Sequence, residues 1–469
     1  MPTQQLTFIK GDKVGSETDY RDALPVNMTA VSRPILGAQG YMLQLPGLTL
    51  LGTGEGIDRG GIWDSRRNAH YRVSGDKLIQ VLASGQATVL GTVPGSDTVE
   101  FAYSFNNLAI IASGRMYLYN PTDEFREVTD EDLGDPIDIC WVDQYFFMTD
   151  GENLFHTDIA NETVIDPLDF ATSEFSPDPT YGVEKTEDNR VMVFNRYTTE
   201  IFVNDASDNF AFSRVSGLAL EIGIVGTHAK AKMGPGFVVV GNRSEEAVSV
   251  HLVSPGQSQK VATREVEKVI GSYKETELRN VVVETREEDG YQHVLIHLPN
   301  HTLLFNQTIA STTGLETAWS IIKSDVLGDR PYRGIYGVFD NNLGKWVYGD
   351  KLNSNLGIYD EDTALQYGEI AEWLLFTPYF PIETSSIDEV EIKTIPGFAK
   401  TENSTLEVSL TFDGYRYGKG KFLEYGGRGQ FDNRLIARRF GYVSDYVSFR
   451  LRGASRTRMA IGSGVFIYG

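Results

Sequence analysis

The sequence predicts an all-β protein: a β-propeller of seven blades, with six as the alternative count, followed by a C-terminal antiparallel β-sandwich. Three observations carry this reading. Short apolar runs rich in Val, Ile, Phe and Tyr recur in pairs, each pair joined by a turn of Gly, Asn, Asp or Ser. The pairs return roughly every 40 to 55 residues, close to the length of a four-stranded propeller blade. Helical periodicity is nearly absent, and the 47 glycines suit a chain dense in tight turns.

In chain order, residues 1–60 come first, punctuated by Gly and Pro around Pro25, Pro34 and Pro46. They read as an extended arm. The propeller is expected over 61–368, from hairpins at 69–82 (AHYRVSGDKLIQVL), 108–119, 144–159, 191–205, 236–253, 291–306 and 345–360. Closing a propeller usually takes a strand from one chain end into the blade at the other, which removes an open sheet edge. The arm is the candidate for that strand. The best helix candidate lies over 263–272 (TREVEKVIGS), where Val266, Val269 and Ile270 share a face, and helix content is expected to be small. From 369 to 469 the segments LLFTPYF, EVEIKTIPG, LEVSLTFDG, YVSFRLRG and MAIGSGVFIYG alternate as strands of a sandwich.

A search for chemistry finds no site. The lone cysteine, Cys140, excludes an internal disulfide and a cysteine-clustered zinc site, and its apolar run IDICWV marks it as a buried small hydrophobe. His293, His297 and His301 recur every four residues, but Pro299 breaks a helix there. On a strand such neighbours stand about 13 Å apart, too far to share a metal. The acidic stretch Asp130, Glu131, Asp132, Asp135 lacks the pattern of a calcium loop and reads as a solvated loop. Gly52, Gly54 and Gly56 have the wrong spacing for a phosphate loop, and TFDGYRY reads as a hairpin turn. No catalytic residue, cofactor site or metal site is expected. The start, MPTQQLTFIKGDK, lacks a secretory leader and no run of 18 apolar residues occurs, so the expectation is a product of a reducing cytoplasm that does not insert in a membrane.

The formal net charge of −22 argues against general nucleic-acid binding, which rests on Lys and Arg at the phosphates. From Asp413 onward the balance reverses: eleven cations face Asp413, Glu424, Asp432 and Asp445. A basic end on an acidic body marks a partner surface. Arg434, Arg438, Arg439, Arg450 and Arg452 are its candidate interface residues.

The strings MPTQQL, DYRDALPVNM, GYMLQLPGL, HYRVSGDKL, TREVEKVIGSY, HVLIHLPNHTLLF, YRGIYG, LLFTPYF and TFDGYRYG, in that order, span the chain. In them the sequence resembles the tail-hub proteins of short-tailed phages of the Salmonella-phage type, also called tail accessory factors or packaged DNA stabilization proteins. The Glu-rich loops at 245–246 and 287–289 depart from the family. The resemblance implies a structural virion protein without catalysis, six copies of which form a ring below the portal adaptor. That ring would extend the DNA channel, retain packaged DNA, carry the tail needle and seat the tailspikes. DNA would be cargo only, and an acidic channel wall would let it slide. The alternative is a propeller-based phage tail protein that binds or cleaves glycans, which needs aromatic and carboxylate groups converging in one pocket.

Overall fold

The computed structural model describes residues 2–6, 8, 24–34, 40–207, 210–395, 404–414, 416–427, 430 and 433–469. Seven sheets follow one another around an axis, here blades 1 to 7, over 58–92, 100–127, 138–172, 180–214, 230–260, 282–331 and 334–360. Each of the seven sequence hairpins is the second and third strand of one blade. Those middle strands are covered on both faces by neighbouring blades, which is why they read as continuous apolar runs: Leu108–Ala112, Val191–Asn195, Gly236–Gly241 and Thr302–Asn306 are buried along their whole length. The outermost strands face solvent, as in Gln257–Lys260, exposed throughout, and so carry no apolar signature.

Blade 7 takes its fourth strand from the other end of the chain. Gly47–Thr53 runs antiparallel to Asn355–Asp360, with Gly47 opposite Asp360 and Thr53 opposite Asn355. The glycines at 52, 54 and 56 fit this closing strand against blade 1. A Cβ on Gly52 would lie 1.9 Å from the Gly85 carbonyl oxygen, and one on Gly54 would lie 2.2 Å from Ser74 Oγ. Ser74 Oγ in turn accepts the backbone N–H groups of Glu55 and Gly56 at 3.0 and 3.1 Å.

The C-terminal body is a sandwich of two antiparallel sheets. One contains Ala460–Tyr468, Ser385–Thr394 and Leu435–Val443; the other contains Trp373–Phe376, Tyr446–Ala454, Thr405–Thr411 and Lys421–Glu424. The described parts of the first 60 residues are divided between the two bodies. Thr3–Leu6, Met28–Val31 and Tyr41–Gln44 join the first sheet of the sandwich, Gly47–Thr53 closes the propeller, and Asp58 opens blade 1. The helix expected over 263–272 forms at Arg264–Gly271, burying Val266 and Ile270.

The two bodies are stitched together at residues 25–27. Val26 exchanges hydrogen bonds with Leu374 of the sandwich at 2.9 and 3.1 Å, while Asn27 N–H donates to Ile321 of blade 6 at 2.9 Å. The Asn27 amide donates to the carbonyls of Lys323 and Glu372 at 2.9 and 2.6 Å and accepts from the Lys323 N–H at 2.8 Å. One side chain thus satisfies three backbone groups on two bodies. Replacing Asn27 by Ala should cost about 2–3 kcal/mol, since it orphans buried polar groups. Native-state hydrogen exchange checks this: the Lys323 amide should lose protection in the variant, and unchanged protection would contradict it.

Candidate functional site

The innermost strand of every blade faces the axis, and several carry charge where a packed core would be apolar. Glu100 (blade 2), Asp138 (blade 3), Glu184 (blade 4), and His228 with Lys230 (blade 5) converge there. Lys230 Nζ lies 2.9 Å from Asp138 Oδ2 and 3.9 Å from Glu100 Oε1. Glu100 Oε1 is also 2.6 Å from His228 Nδ1. Asp138 accepts the backbone N–H groups of Ile139 and Val183 at 2.9 and 2.6 Å. Burial lowers the affinity of Lys230 for its proton, but Asp138, Glu100 and Glu184 outweigh it and hold the ammonium charged. Burial pushes the Asp138 carboxyl up to about 8 against the pull of Lys230, and burial also raises Glu184. Lys230, paired with Asp138 and Glu100 and in the field of Glu184, fastens blades 2 to 5 across the axis. Every member faces another protein group, so this is a structural clasp.

The seam between blades 1 and 7 is fastened in the same manner. Arg72, wholly buried, grips Asp58 through Nε and Nη2 at 2.7 and 2.9 Å and reaches the Tyr336 carbonyl of blade 7 at 2.8 Å. Its Nη1 donates to His70 Nε2 at 3.2 Å, and His70 Nδ1 lies 3.2 Å from Asp340 Oδ2 of blade 7. A guanidinium only donates, so Nε2 must accept and Nδ1 carries the proton. Lys351, His297 and Glu284 repeat this cation–imidazole–carboxylate order between blades 7 and 6, with contacts of 2.9 and 3.0 Å.

The three histidines spaced by four therefore do not converge. His297 belongs to the relay just described, His293 Nε2 meets the Asn306 amide at 3.2 Å, and His301 meets the Tyr273 hydroxyl. Asp130 closes its own loop, accepting from the N–H groups of Asp132 at 2.9 Å and Ile165 at 3.3 Å. Cys140 is buried on Asp138–Val142, and burial raises its thiol well above the usual range. Among the described residues, the carboxylates of Glu288, Asp289 and Glu361 lie within 4.8 Å of one another, with Arg286 Nε 3.5 Å from Glu288 Oε2 offsetting their charge.

The arginines of the sandwich have partners that a window opening at Asp413 left out. Arg434 pairs with Glu391 at 2.8 and 2.9 Å, Arg438 with Glu389 at 3.0 Å, and Arg452 with Glu372 at 2.6 Å. Arg450 lies over the Tyr417 ring at 4.1 Å and 3.9 Å from Glu407. Glu389 and Glu391 come from Ser385–Thr394, paired with Leu435–Val443 in register. Counted from 372 to 469, 13 Lys and Arg face 11 Asp and Glu, so this body is near neutral and the acid excess belongs to the rest of the chain. Arg439 differs: it is exposed at a φ of 63°, and its guanidinium has no carboxylate partner among the described residues.

These features define a structural propeller joined rigidly to a β-sandwich, a body that holds its shape and presents surfaces. Comparison with known proteins agrees. Residues 4–364 match the family described as bacteriophage P22 Gp10, beta-propeller, and residues 372–465 match bacteriophage P22 Gp10, beta-sandwich. The tail hub protein gp10 of Salmonella phage P22 is 30% identical over 477 residues, covering 98% of each chain. The chain belongs to the bacteriophage P22 Gp10 family, and with it to the structural tail-hub proteins and not to the enzymes. Among solved structures, the extracellular domain of a hybrid two-component system from B. thetaiotaomicron is similar at a TM-score of 0.46, with 10% identity, covering 87% of this chain and 59% of that one. A virginiamycin B lyase from Staphylococcus aureus is similar at 0.43, with 9% identity, covering 68% and 98%. Likeness at that level carries nothing about function. No helix among the described residues is long and apolar enough to cross a membrane.

Proposed function

We propose that this chain is the hub of a short virion tail, made in the host cytoplasm and assembled as a ring of six below the portal adaptor. In that place it extends the DNA channel, retains the packaged genome, and docks the tail needle and the tailspikes. The observation that carries this reading is the full-length similarity to the tail hub protein of phage P22, which spans both bodies and the N-terminal segment between them. The mechanical design supports it. A closed propeller stitched to a sandwich through Val26 and Asn27 can bear several partners without changing shape. The acid excess lies outside the near-neutral sandwich, which suits a channel wall that repels phosphates so that DNA slides and does not adhere.

Ring formation from identical copies needs a head-to-tail interface. Of the candidate arginines, Arg434, Arg438, Arg450 and Arg452 engage groups of their own chain, whereas Arg439 has no carboxylate partner among the described residues. Arg439→Glu should weaken assembly more at low salt than at high salt, with Arg438→Glu showing the smaller effect. Assembly yields that are equal for both variants at every salt concentration would remove Arg439 from the interface.

Cryo-electron microscopy of intact tailed particles tests the whole reading. Six copies in a ring beneath the adaptor are expected. Threefold density at the periphery would overturn it in favour of a glycan-recognising tail protein, and a ring lumen lined mainly by Lys and Arg would refute the sliding surface.

A further inference from the structure

We propose that one end of the propeller axis binds an acidic peptide segment of a partner protein. The inner strands of blades 1 to 5 leave a cavity of 520 Å³ there, on the side of the turns that follow the first strands of blades 1 and 2. Arg66, Lys185 and Lys232 stand in its wall, and none of the three forms a direct ion pair among the described residues, although Lys232 acts on the carboxyl of Glu184 in the same wall. Most other cations in this acidic chain that have been described above are consumed by ion pairs. Three cations against the single carboxyl of Glu184 around one hollow, in a chain of net charge −22, are a local reversal of sign. Glu184 also lines the cavity, with Oε1 accepting from the Lys185 N–H at 3.2 Å, and burial favours its neutral form.

The aromatic residues of the wall hold these cations in place. Lys185 Nζ lies 5.4 Å from the Trp141 ring centroid and Arg66 Cζ lies 5.7 Å from that of Phe105. The two rings brace each other edge to face at 5.1 Å and 86°. Each ring therefore has a face occupied by a cation and an edge or face occupied by its neighbour. A sugar-binding platform needs an open ring face for stacking, and this pair does not offer a clear one. Duplex DNA is too wide for a hollow of this volume.

The shape favours an extended chain. Past Arg66 and Phe105, which both hollows share, the surface continues into a second hollow of 710 Å³ whose wall includes Asn106 and Ile159, and whose two carboxylates are engaged, Asp123 lying 3.8 Å from Arg126 and Glu162 accepting from the Asn107 amide at 2.5 Å. Phe105 is 60% exposed and Ile159 50% exposed. Cations alternating with exposed apolar groups and a side-chain amide match a peptide in which carboxylates alternate with apolar side chains.

The experiment is calorimetric titration of the full-length chain with a synthetic peptide of alternating Glu and Leu. Binding is expected, with no detectable binding of the matching Gln–Leu peptide. A Lys185→Gln, Lys232→Gln double variant of unchanged melting temperature should bind roughly tenfold more weakly, the scale of a lost charge-assisted contact. Lys345→Gln, an exposed charge elsewhere on the propeller, should bind as the parent does. Three results would each overturn the proposal: no binding of the Glu–Leu peptide, equal binding of the Gln–Leu peptide, or equal affinity of the double variant. Displacement of the peptide by polysialic acid, with tighter binding of that saccharide, would also overturn it and make the cavity a saccharide site.

Discussion

Replacing Arg72 by methionine should lower the free energy of unfolding by about 3–5 kcal/mol, among the largest effects expected for any single side chain here. Methionine fills much of the same volume, so the loss is electrostatic. Asp58, itself nearly inaccessible and already raised by burial, would lose the cation that holds it ionised and would be left an unpaired charge or be forced to take up a proton, and the Tyr336 carbonyl and His70 would lose a donor. The damage falls where blade 1 meets blade 7, the seam on which closure of the ring depends. Urea denaturation of the parent and the variant measures it. Changing Asp58 to Asn in the same chain should recover part of the loss, because a neutral amide tolerates burial better than an unpaired carboxylate. A loss below about 1 kcal/mol for Arg72→Met would mean that the seam is held by packing and strand pairing alone.

Acid should weaken the fold through its buried histidines. Burial, aided by Arg72, holds His70 down to about 4, and burial with Lys351 does the same for His297. Burial lowers His251 to about 4 and His293 well below its usual value. A folded-state value below the unfolded one means that the unfolded chain binds more protons between the two. His70, His251 and His297 therefore each contribute stability that is complete above pH 6.5 and lost as pH falls from 6.5 to about 4, and His293 acts in the same direction. For His70 and His297 the shift corresponds to about 3 kcal/mol each. Asp138 and Glu184 act in the opposite sense, since burial raises their carboxyls and they hold protons longer in the folded chain. The His70→Gln, His297→Gln double variant isolates the histidine contribution from that background. Its stability should fall less steeply than the parent's between pH 6.5 and 4 in urea melts at a series of pH values. Parallel curves would show that these two imidazoles titrate as they do in water.

Both predictions rest on residues that were visible in the sequence without their role being visible. HYRVSGDKL reads as a hairpin, and nothing in its linear order sets Arg72 apart. The structure instead buries that arginine, because Asp58 from the preceding strand and Tyr336 from the far end of the chain arrive at the same point. At the basic end of the chain the linear order hides partners in a related manner. The arginines there look unopposed because their partners, Glu372, Glu389, Glu391 and Glu407, lie upstream on strands that pair with the arginine-bearing strands only in the folded sandwich. The cavity at the axis left no trace in the linear order at all. Arg66, Trp141, Lys185 and Lys232 belong to four different blades.

The sequence by itself determined the class of fold, the seven repeated hairpins and the helix at Arg264–Gly271. These follow from local periodicity and turn residues, and the paired middle strands are buried on both faces whatever their neighbours are. Tertiary structure alone decided which charges are spent and which remain available. It also decided that Gly47–Thr53 closes blade 7 and that Asn27 ties propeller to sandwich. The physical reason is range: hydrophobic alternation is written within a few residues, whereas an ion pair or a closing strand joins groups tens to hundreds of residues apart, and only the path of the chain brings them together.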